Sequence, residues 1–321
     1  FIGTWTQTQE SLSSGDAFND GFAKSFKMDN TTANASPVAN SSCRIDYNFE
    51  GQDLQLLKHG TSSAEKTTVA FWIKATKTGT NIVKMYKTDA DRSCSIAYTV
   101  SQSNTWEYKV LNFPADTSGA VIANDNTLGI KMSFAIAMGS NYTSGTLNST
   151  WAASVSANGY VGQVNNGDST SNNWEITGVQ LEVGEYSATN IPPFQHESFA
   201  DNFSRCQRYY QKLGTNPALG TTSIGAGKRI ATGHTGLDNN GSGIEFIFSL
   251  ANALRSSPSM ELNNINVRQA TTNFDVSATN LYWYGTNLQV GVTASANLTL
   301  GLSGQLRFTG SDSYVAFDSE L

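Results

Sequence analysis

The sequence predicts an all-β protein, built as two antiparallel β-sandwich (jelly-roll-like) domains joined by a short helical segment. Three observations carry this. Apolar residues recur with a period of two along most of the chain. Ser, Thr, Asn and Gly (37, 34, 30 and 28 of 321 residues) supply about 40% of the chain and gather between the alternating stretches, where turns form. Strands do not alternate with helical stretches, which argues against a parallel α/β sheet.

Taken in order, Thr67 to Lys74 is β-branched and aromatic and reads as a strand. A turn at Lys77-Thr78-Gly79 leads into a second strand, Asn81 to Tyr86. Cys94 to Val100, Trp106 to Leu111, Leu128 to Met138 and Trp174 to Val183 follow, each burying one face and wetting the other. Between the last two, residues 139–173 are dominated by Gly, Ser, Asn and Thr. They read as long surface loops carrying Tyr142, Trp151 and Tyr160. Two readings stay open there: a binding surface on a rigid scaffold, or an insertion whose aromatics tuck back onto the sheet.

Ile191-Pro192-Pro193-Phe194 breaks the strand pattern. Phe199, Phe203, Cys206, Tyr210 and Leu213 then step by four and three, an apolar stripe on a helix that Ser198 or Asp201 caps and Gly214 ends. Its last residues, from Arg208, also read as the start of a strand. The stripe packs either on its own chain or against copies of itself. Beyond it the β pattern resumes at 228–231, 244–248, 260–262, 280–284 and 288–292. Gln305 to Thr309 and Tyr314 to Asp318 read as a terminal hairpin. The expected domains are residues 1–195, a helical junction 196–214, and a C-terminal β-sandwich 215–321.

Composition removes whole classes of function. Lys and Arg number 20 against 26 Asp and Glu, so no basic field exists to bind nucleic acid. With 39% apolar and 11% aromatic residues the chain can bury a core and is not disordered. No apolar run approaches the length of a membrane-spanning helix. Three separated cysteines and three separated histidines argue against a disulfide framework and a zinc ribbon. The chain opens on Phe1 with no signal-peptide pattern, and its start reads as a fragment or processed end, the place where an anchor would be sought.

Several stretches, in order, resemble a family of bacteriophage fibre and tail proteins. They are Ala70-Phe71-Trp72-Ile73-Lys74-Ala75, Asp91-Arg92-Ser93, Thr105-Trp106-Glu107-Tyr108-Lys109, Asp116-Thr117-Ser118-Gly119, Gly139-Ser140-Asn141-Tyr142 and Ile176 to Gly184. Cys206-Gln207-Arg208-Tyr209-Tyr210-Gln211-Lys212 is the most specific of them, and Leu254 to Ser259 fits a distal module. The resemblance spans residues 43–321. It implies a virion protein of phage tail or capsid, homotrimeric, with a carbohydrate-binding-like jelly roll and a C-terminal β-domain. It does not imply a catalytic site. Other virion proteins and a bacterial surface polysaccharide are the partners expected, host attachment is the role expected, and no cofactor is expected.

The residues themselves offer little chemistry. Glycoside hydrolysis needs two facing carboxylates. Asp89, Asp91, Glu107, Glu175, Glu182 and Glu185 are scattered, and no histidine sits near a recognisable nucleophile, so an enzyme is not expected. Asp116, Asp125 and Asp168 are conceivable calcium ligands without supporting spacing. Sugar binding needs aromatic faces and amide or carboxyl partners. Tyr142, Trp151 and Tyr160 are candidates, as are the polar tip at His234, Asp238 and Asn239 and the run Tyr282-Trp283-Tyr284. In a strand Tyr282 and Tyr284 share one face and Trp283 takes the other. Core packing, a subunit interface or a plain hairpin loop remain the alternatives for these. The function expected is a fibre adhesin that binds a glycan without cleaving it. The alternatives are a purely architectural fibre and a polysaccharide depolymerase.

Overall fold

Alternation of inward apolar and outward polar residues builds every large sheet of this protein. The computed structural model describes residues 2–214, 222–223, 229–234, 243–284, 287–299, 302–310 and 312–320, with only the backbone of 222–223, 229–234, 277–278 and 283–284. The chain forms two compact units, one running to Gln195 and the other from His196 to Glu320.

The first unit has ten strands: β1 (Thr4–Ser11), β2 (Lys24–Thr32), β3 (Ser42–Glu50), β4 (Thr67–Ala75), β5 (Gly79–Lys87), β6 (Arg92–Val100), β7 (Glu107–Phe113), β8 (Leu128–Met138), β9 (Ala152–Ala153) and β10 (Asn173–Val183). They form two five-stranded antiparallel sheets, in the orders β1-β2-β10-β4-β7 and β3-β8-β5-β6-β9. Val69, Phe71 and Ile73 of β4 and Trp174 of β10 meet Val83 and Met85 of β5 and Met132, Phe134 and Ile136 of β8 in one core. The Phe71 ring joins the layers, edge-on to Tyr98 at 5.1 Å and to Phe134 at 5.2 Å. Truncating a ring so enclosed costs about 3–5 kcal/mol.

The strands singled out in the sequence all form. β1, β2 and β3 join them; Thr, Gln, Ser and Lys dominate the first two, whose outward faces hide the alternation. Within β10 the register shifts between Thr177 and Gln180. Gly178 makes that bulge with a φ of +60°, and a Cβ there would sit 2.6 Å from the Phe22 ring, so both backbone and space require glycine.

In the second unit a short helix, α1 of this unit (Phe199–Cys206), is capped by Ser198, whose hydroxyl accepts from the Asp201 amide at 3.1 Å. The helix stops at Cys206, and Tyr210 already belongs to a strand, so Gly214 ends that strand and not the helix. The strands are β11 (Tyr210–Gly214), β12 (Thr222–Ser223), β13 (Arg229–His234), β14 (Gly243–Ser249), β15 (Ser259–Asn263), β16 (Ile265–Gln269), β17 (Thr272–Tyr284), β18 (Asn287–Ala294), β19 (Ser303–Phe308) and β20 (Tyr314–Asp318). Six close into a barrel, β13-β14-β18-β17-β16-β19, and four form a sheet, β12-β11-β20-β15. Phe246, Val267, Leu288, Val290, Leu306 and Phe308 are buried together, and Phe317 of β20 packs on Phe248 at 5.5 Å.

The expected terminal hairpin does not form. β19 pairs with β13 and β16, while β20 pairs with β11 and β15. The chain changes sheet at the connecting turn, where Asn264 holds it: its carbonyl accepts from the Thr309 amide at 3.0 Å and from the Ser313 hydroxyl at 2.8 Å. A short polar turn between two β-like runs signals a change of direction but not which sheet the second run enters.

Candidate functional site

The insertion between β8 and β10 lies on the sheet, fastened by side-chain amides. Gln163 accepts from the Ile82 amide at 2.7 Å and donates to Asn81 at 3.0 Å. Asn166, fully buried, donates to Asn81 at 2.9 Å and to the Ile136 carbonyl at 2.9 Å. Amides on Asn and Gln carry both donors and acceptors, so they satisfy backbone groups that a strand ladder would otherwise pair. This is the structural use of the Asn-rich composition.

That arrangement places the insertion's aromatics inward. Trp151 is 7% exposed; its indole N–H donates to the Pro114 carbonyl at 2.8 Å, and its ring meets His59 at 5.2 Å. Tyr160 is 5% exposed and packs with Ile82, Ala135 and Met138, and Tyr142 lies half-buried against the same cluster. The structure thus places Trp151 and Tyr160 as packing residues, and neither offers a free ring face for a sugar to stack on.

Beneath Trp151 lies a buried ion cluster. Asp116 (1% exposed) pairs with Lys87 (0%) at 2.5 Å and accepts a forked pair of bonds from Arg92, which also donates to the Trp151 carbonyl at 2.8 Å. Burial alone would raise the Asp116 pKa, but the bonds from Arg92 and Lys87 outweigh it and hold the carboxyl below its ordinary range. Burial, and then the Lys87 charge, push His59 below its ordinary value.

In the barrel the corresponding residues face outward. Ile247 of β14, Gln289 of β18 and Tyr282 of β17 stand opposite one another in a single cross-strand row. Ile247 is 68% exposed and Tyr282 50%. The next row is Glu245, Gly291 and Asn280. Gln289 donates to Glu245 at 2.7 Å, and Ser249 donates to Asn287 at 3.3 Å. Gly291 leaves the floor between Glu245 and Asn280 open. Strands lie about 4.8 Å apart, so Tyr282 and Ile247 frame a patch about 10 Å across. An aromatic face beside convergent carboxyl, amide and hydroxyl groups is the chemistry that takes the apolar face and the hydroxyls of a sugar. Asp238 and Asn239 lie outside the described residues, and so do the side chains of His234, Trp283 and Tyr284.

A second polar surface escaped the sequence reading. On β5, Val83 and Met85 point into the core, so Lys84 and Tyr86 share the outer face. The Lys84 ammonium stands 5.5 Å from the Tyr160 ring and 5.8 Å from the Tyr86 ring. Among the described residues no carboxylate pairs with it. Burial, followed by the repulsion of Arg44, lowers its pKa. The period-two alternation of 81–86 was the signal for this face; the partner Tyr160 is distant in sequence.

The other candidates are occupied by their own chain. Asp125 accepts from Thr127, and Asp168 is held by Lys77 and by Asn172 at 2.7 Å. Among the described residues no three His, Cys, Asp or Glu side chains gather as metal ligands. Glu175 is buried between Ser25 and Lys74, at 2.5 and 2.6 Å, and Glu107 accepts from the Ser101 and Gln102 amides. Asp91 accepts from Tyr86, Asp89 from the Ala123 amide, Glu182 from Gln180, and Glu185 pairs with Lys66. The three cysteines are free thiols; burial raises Cys43 to about 11 and Cys94 to about 12.

No protein-family model and no curated protein matches this chain. Among solved structures it is similar to tailspike protein 4 of bacteriophage CBA120, in its enzymatically active domain, at 14% identity and a TM-score of 0.26. That likeness covers 56% of this chain and 19% of the tailspike chain, about a fifth of its length. A chain of Red Clover Necrotic Mosaic Virus is similar at 14% identity and a TM-score of 0.13, over 89% of this chain and 95% of that one. Likenesses of this degree carry no argument about fold or activity.

Proposed function

We propose that this chain is a structural protein of a bacteriophage virion, a homotrimeric fibre or tail component that binds a bacterial surface glycan without cleaving it. The ordered motifs from Ala70 to Ser259 support the virion role. The observation that carries the binding role is the exposed row Tyr282–Gln289–Ile247 on the barrel wall, with Glu245 and Asn280 beside it. The carboxylates weighed for hydrolysis each serve a donor of their own chain, which supports recognition over cleavage. Self-association is supported by the helix Phe199–Cys206. None of its residues is buried, and Phe199 (83% exposed) and Phe203 (48%) stack at 5.7 Å on its apolar stripe.

Labelled protein is expected to adsorb to susceptible cells, and Tyr282→Ala to adsorb weakly while folding normally. Unchanged adsorption of the variant would move the binding role elsewhere, and no adsorption by the parent protein would favour a purely architectural fibre. Light scattering is expected to give three times the 34.5 kDa chain mass. Phe199→Asp with Phe203→Asp should lower it, and a monomeric parent protein would defeat the trimer. Release of reducing ends from host polysaccharide would establish a depolymerase instead.

A further inference from the structure

The two sheets of the first unit end in β1, β7, β3 and β9, and the last three deter further pairing by their own residues. β9 is two residues long. β7 turns Glu107 and Lys109 inward, opposite Ile73 and Phe71 of the core. β3 carries Arg44 and Asp46 and breaks register at both ends. Short length, inward charge and bulges each work against an added strand. Along residues 5–11 β1 has none of these. It is eight residues long, pairs in its sheet with β2 alone, and has no lysine, arginine or proline. Its one charge, Glu10, stands opposite Ser25 on the outer face. The far edge of β1 is therefore a template for another strand.

The space beside that edge has the character of an unfilled core. Gln7 stands opposite the core residue Met28, and Gln9 opposite Phe26, which itself stands opposite Ile176. Opposed residues share a face, so both glutamines and Phe26 point inward. Yet Gln7 and Gln9 are exposed, and Phe26 is 36% exposed. In the other sheet Tyr47 of β3 stands opposite the buried Met132, inward by the same rule, and is 59% exposed. Between β1 and β3 lies a cleft of about 690 Å³, lined by Ile2, Trp5 and Met28 on one side and Cys43, Arg44 and Asp46 on the other. Inward side chains that stay in water mark a flank where the sandwich lacks a strand.

We propose that an extended segment of a different protein adds to the free edge of β1 and lays its apolar side chains into this cleft. The walls set the chemistry of the segment. Apolar residues at every second position would cover Trp5, Phe26 and Tyr47, and uncharged polar residues between them would continue the outer row of Thr6 and Thr8. A second copy of this chain fits less well. Its own β1 would bring Gln7 and Gln9 to an apolar gap, and its stretch through Pro192 and Pro193 lacks N–H groups for pairing. The proposal rests on this flank alone, not on the glycan or trimer readings.

The test tethers a probe strand. A segment alternating valine and threonine, matched to the eight residues of β1, is joined ahead of Phe1 of the full chain through a flexible Gly-Ser linker, which makes the pairing intramolecular. Hydrogen exchange of the amides in Thr4–Ser11 is expected to slow about tenfold or more relative to the untethered chain. A tether alternating glutamine and threonine should protect less, and one with proline at every second position should not protect at all. Gln7→Lys, which sets an ammonium in the cleft, should remove most of the protection. Circular dichroism melting checks that each variant is folded. No protection by the valine tether, or equal protection by all tethers, would overturn the proposal. Light scattering separates the occupants: an untethered chain whose mass halves with Gln7→Lys would show that a second copy fills the edge, and would overturn the choice of a different protein. Cell adsorption is measured separately, so the glycan reading and this one fail independently.

Discussion

The outer face of the sheet β3-β8-β5-β6-β9 and the outer wall of the barrel at β14-β18-β17 begin from the same pattern and end differently. Both alternate apolar side chains inward with mixed polar and aromatic side chains outward. On the first, an amide-fastened insertion covers the sheet, and Tyr160 becomes a packing residue at 5% exposure. On the second, the described residues leave Tyr282 half exposed. An aromatic on a strand's outer face is therefore surface or core according to what lies over it, which its own strand does not specify.

Four substitutions or conditions break or sharpen that contrast. The largest effect belongs to Trp151→Ala, expected to cost about 3–5 kcal/mol, since it opens a cavity over His59 and removes a bond to Pro114. Five of the six tryptophans lie in the first unit, so urea unfolding followed by tryptophan fluorescence reads that unit. A change under about 1 kcal/mol would mean that the ring is not enclosed. Next is Lys87→Met, expected to cost about 3 kcal/mol by leaving Asp116 to Arg92 alone. Lys87→Met with Asp116→Asn should cost less than the single change, and an equal or greater cost would mean that the pair is not coupled.

Acid comes third. The folded chain resists protonating His59, whose pKa is lowered, so the unfolded chain binds that proton first as pH falls below about 6.5 and stability declines. Asp116 acts in the same direction lower down: its depressed pKa contributes stability above the unfolded value of about 3.9 that is lost as pH falls through the folded one. Unfolding midpoints from pH 8 to 4 should fall for the first unit, and His59→Gln should flatten the upper part of that decline. A flat profile for the parent protein would remove the assigned role of His59.

The smallest effect on stability is that of Tyr282→Ala, within about 0.5 kcal/mol, as for surface substitutions generally. It is also the variant expected to lose adsorption. A loss of several kcal/mol would show that this ring is packed as Tyr160 is, and the contrast between the two faces would disappear.

Where side chains were strongly β-forming, the sequence was legible. Thr67 to Lys74 and Trp174 to Val183 are strands as read, because Val, Ile, Phe and Trp at alternating positions suit a pleated, buried surface. The polar edge strand Thr4–Ser11 was not singled out, since its Thr and Gln residues carry a weak apolar period. The run 305–318 read as a hairpin because its turn was legible while the partners of its two strands were not. The site was less legible. Tyr282 was named for its density of aromatic neighbours, but Gln289, Glu245 and Ile247 enter only through cross-strand register. Lys84 and Tyr160 meet only through the fold.

By itself the sequence determined the all-β class, the inward and outward sets of each strong strand, and a capped helix start at Ser198 or Asp201, of which the structure takes Ser198. These are local matters of period, propensity and backbone hydrogen bonding. The tertiary structure decided which strands share a sheet, that six of them close into a barrel, and which outward aromatics are covered. A period of two assigns alternate residues to opposite faces but carries no information on what packs against each face. That depends on chain segments tens of residues away: an Asn-rich insertion lies over one sheet, while among the described residues Tyr282 and Ile247 on the barrel wall stay exposed.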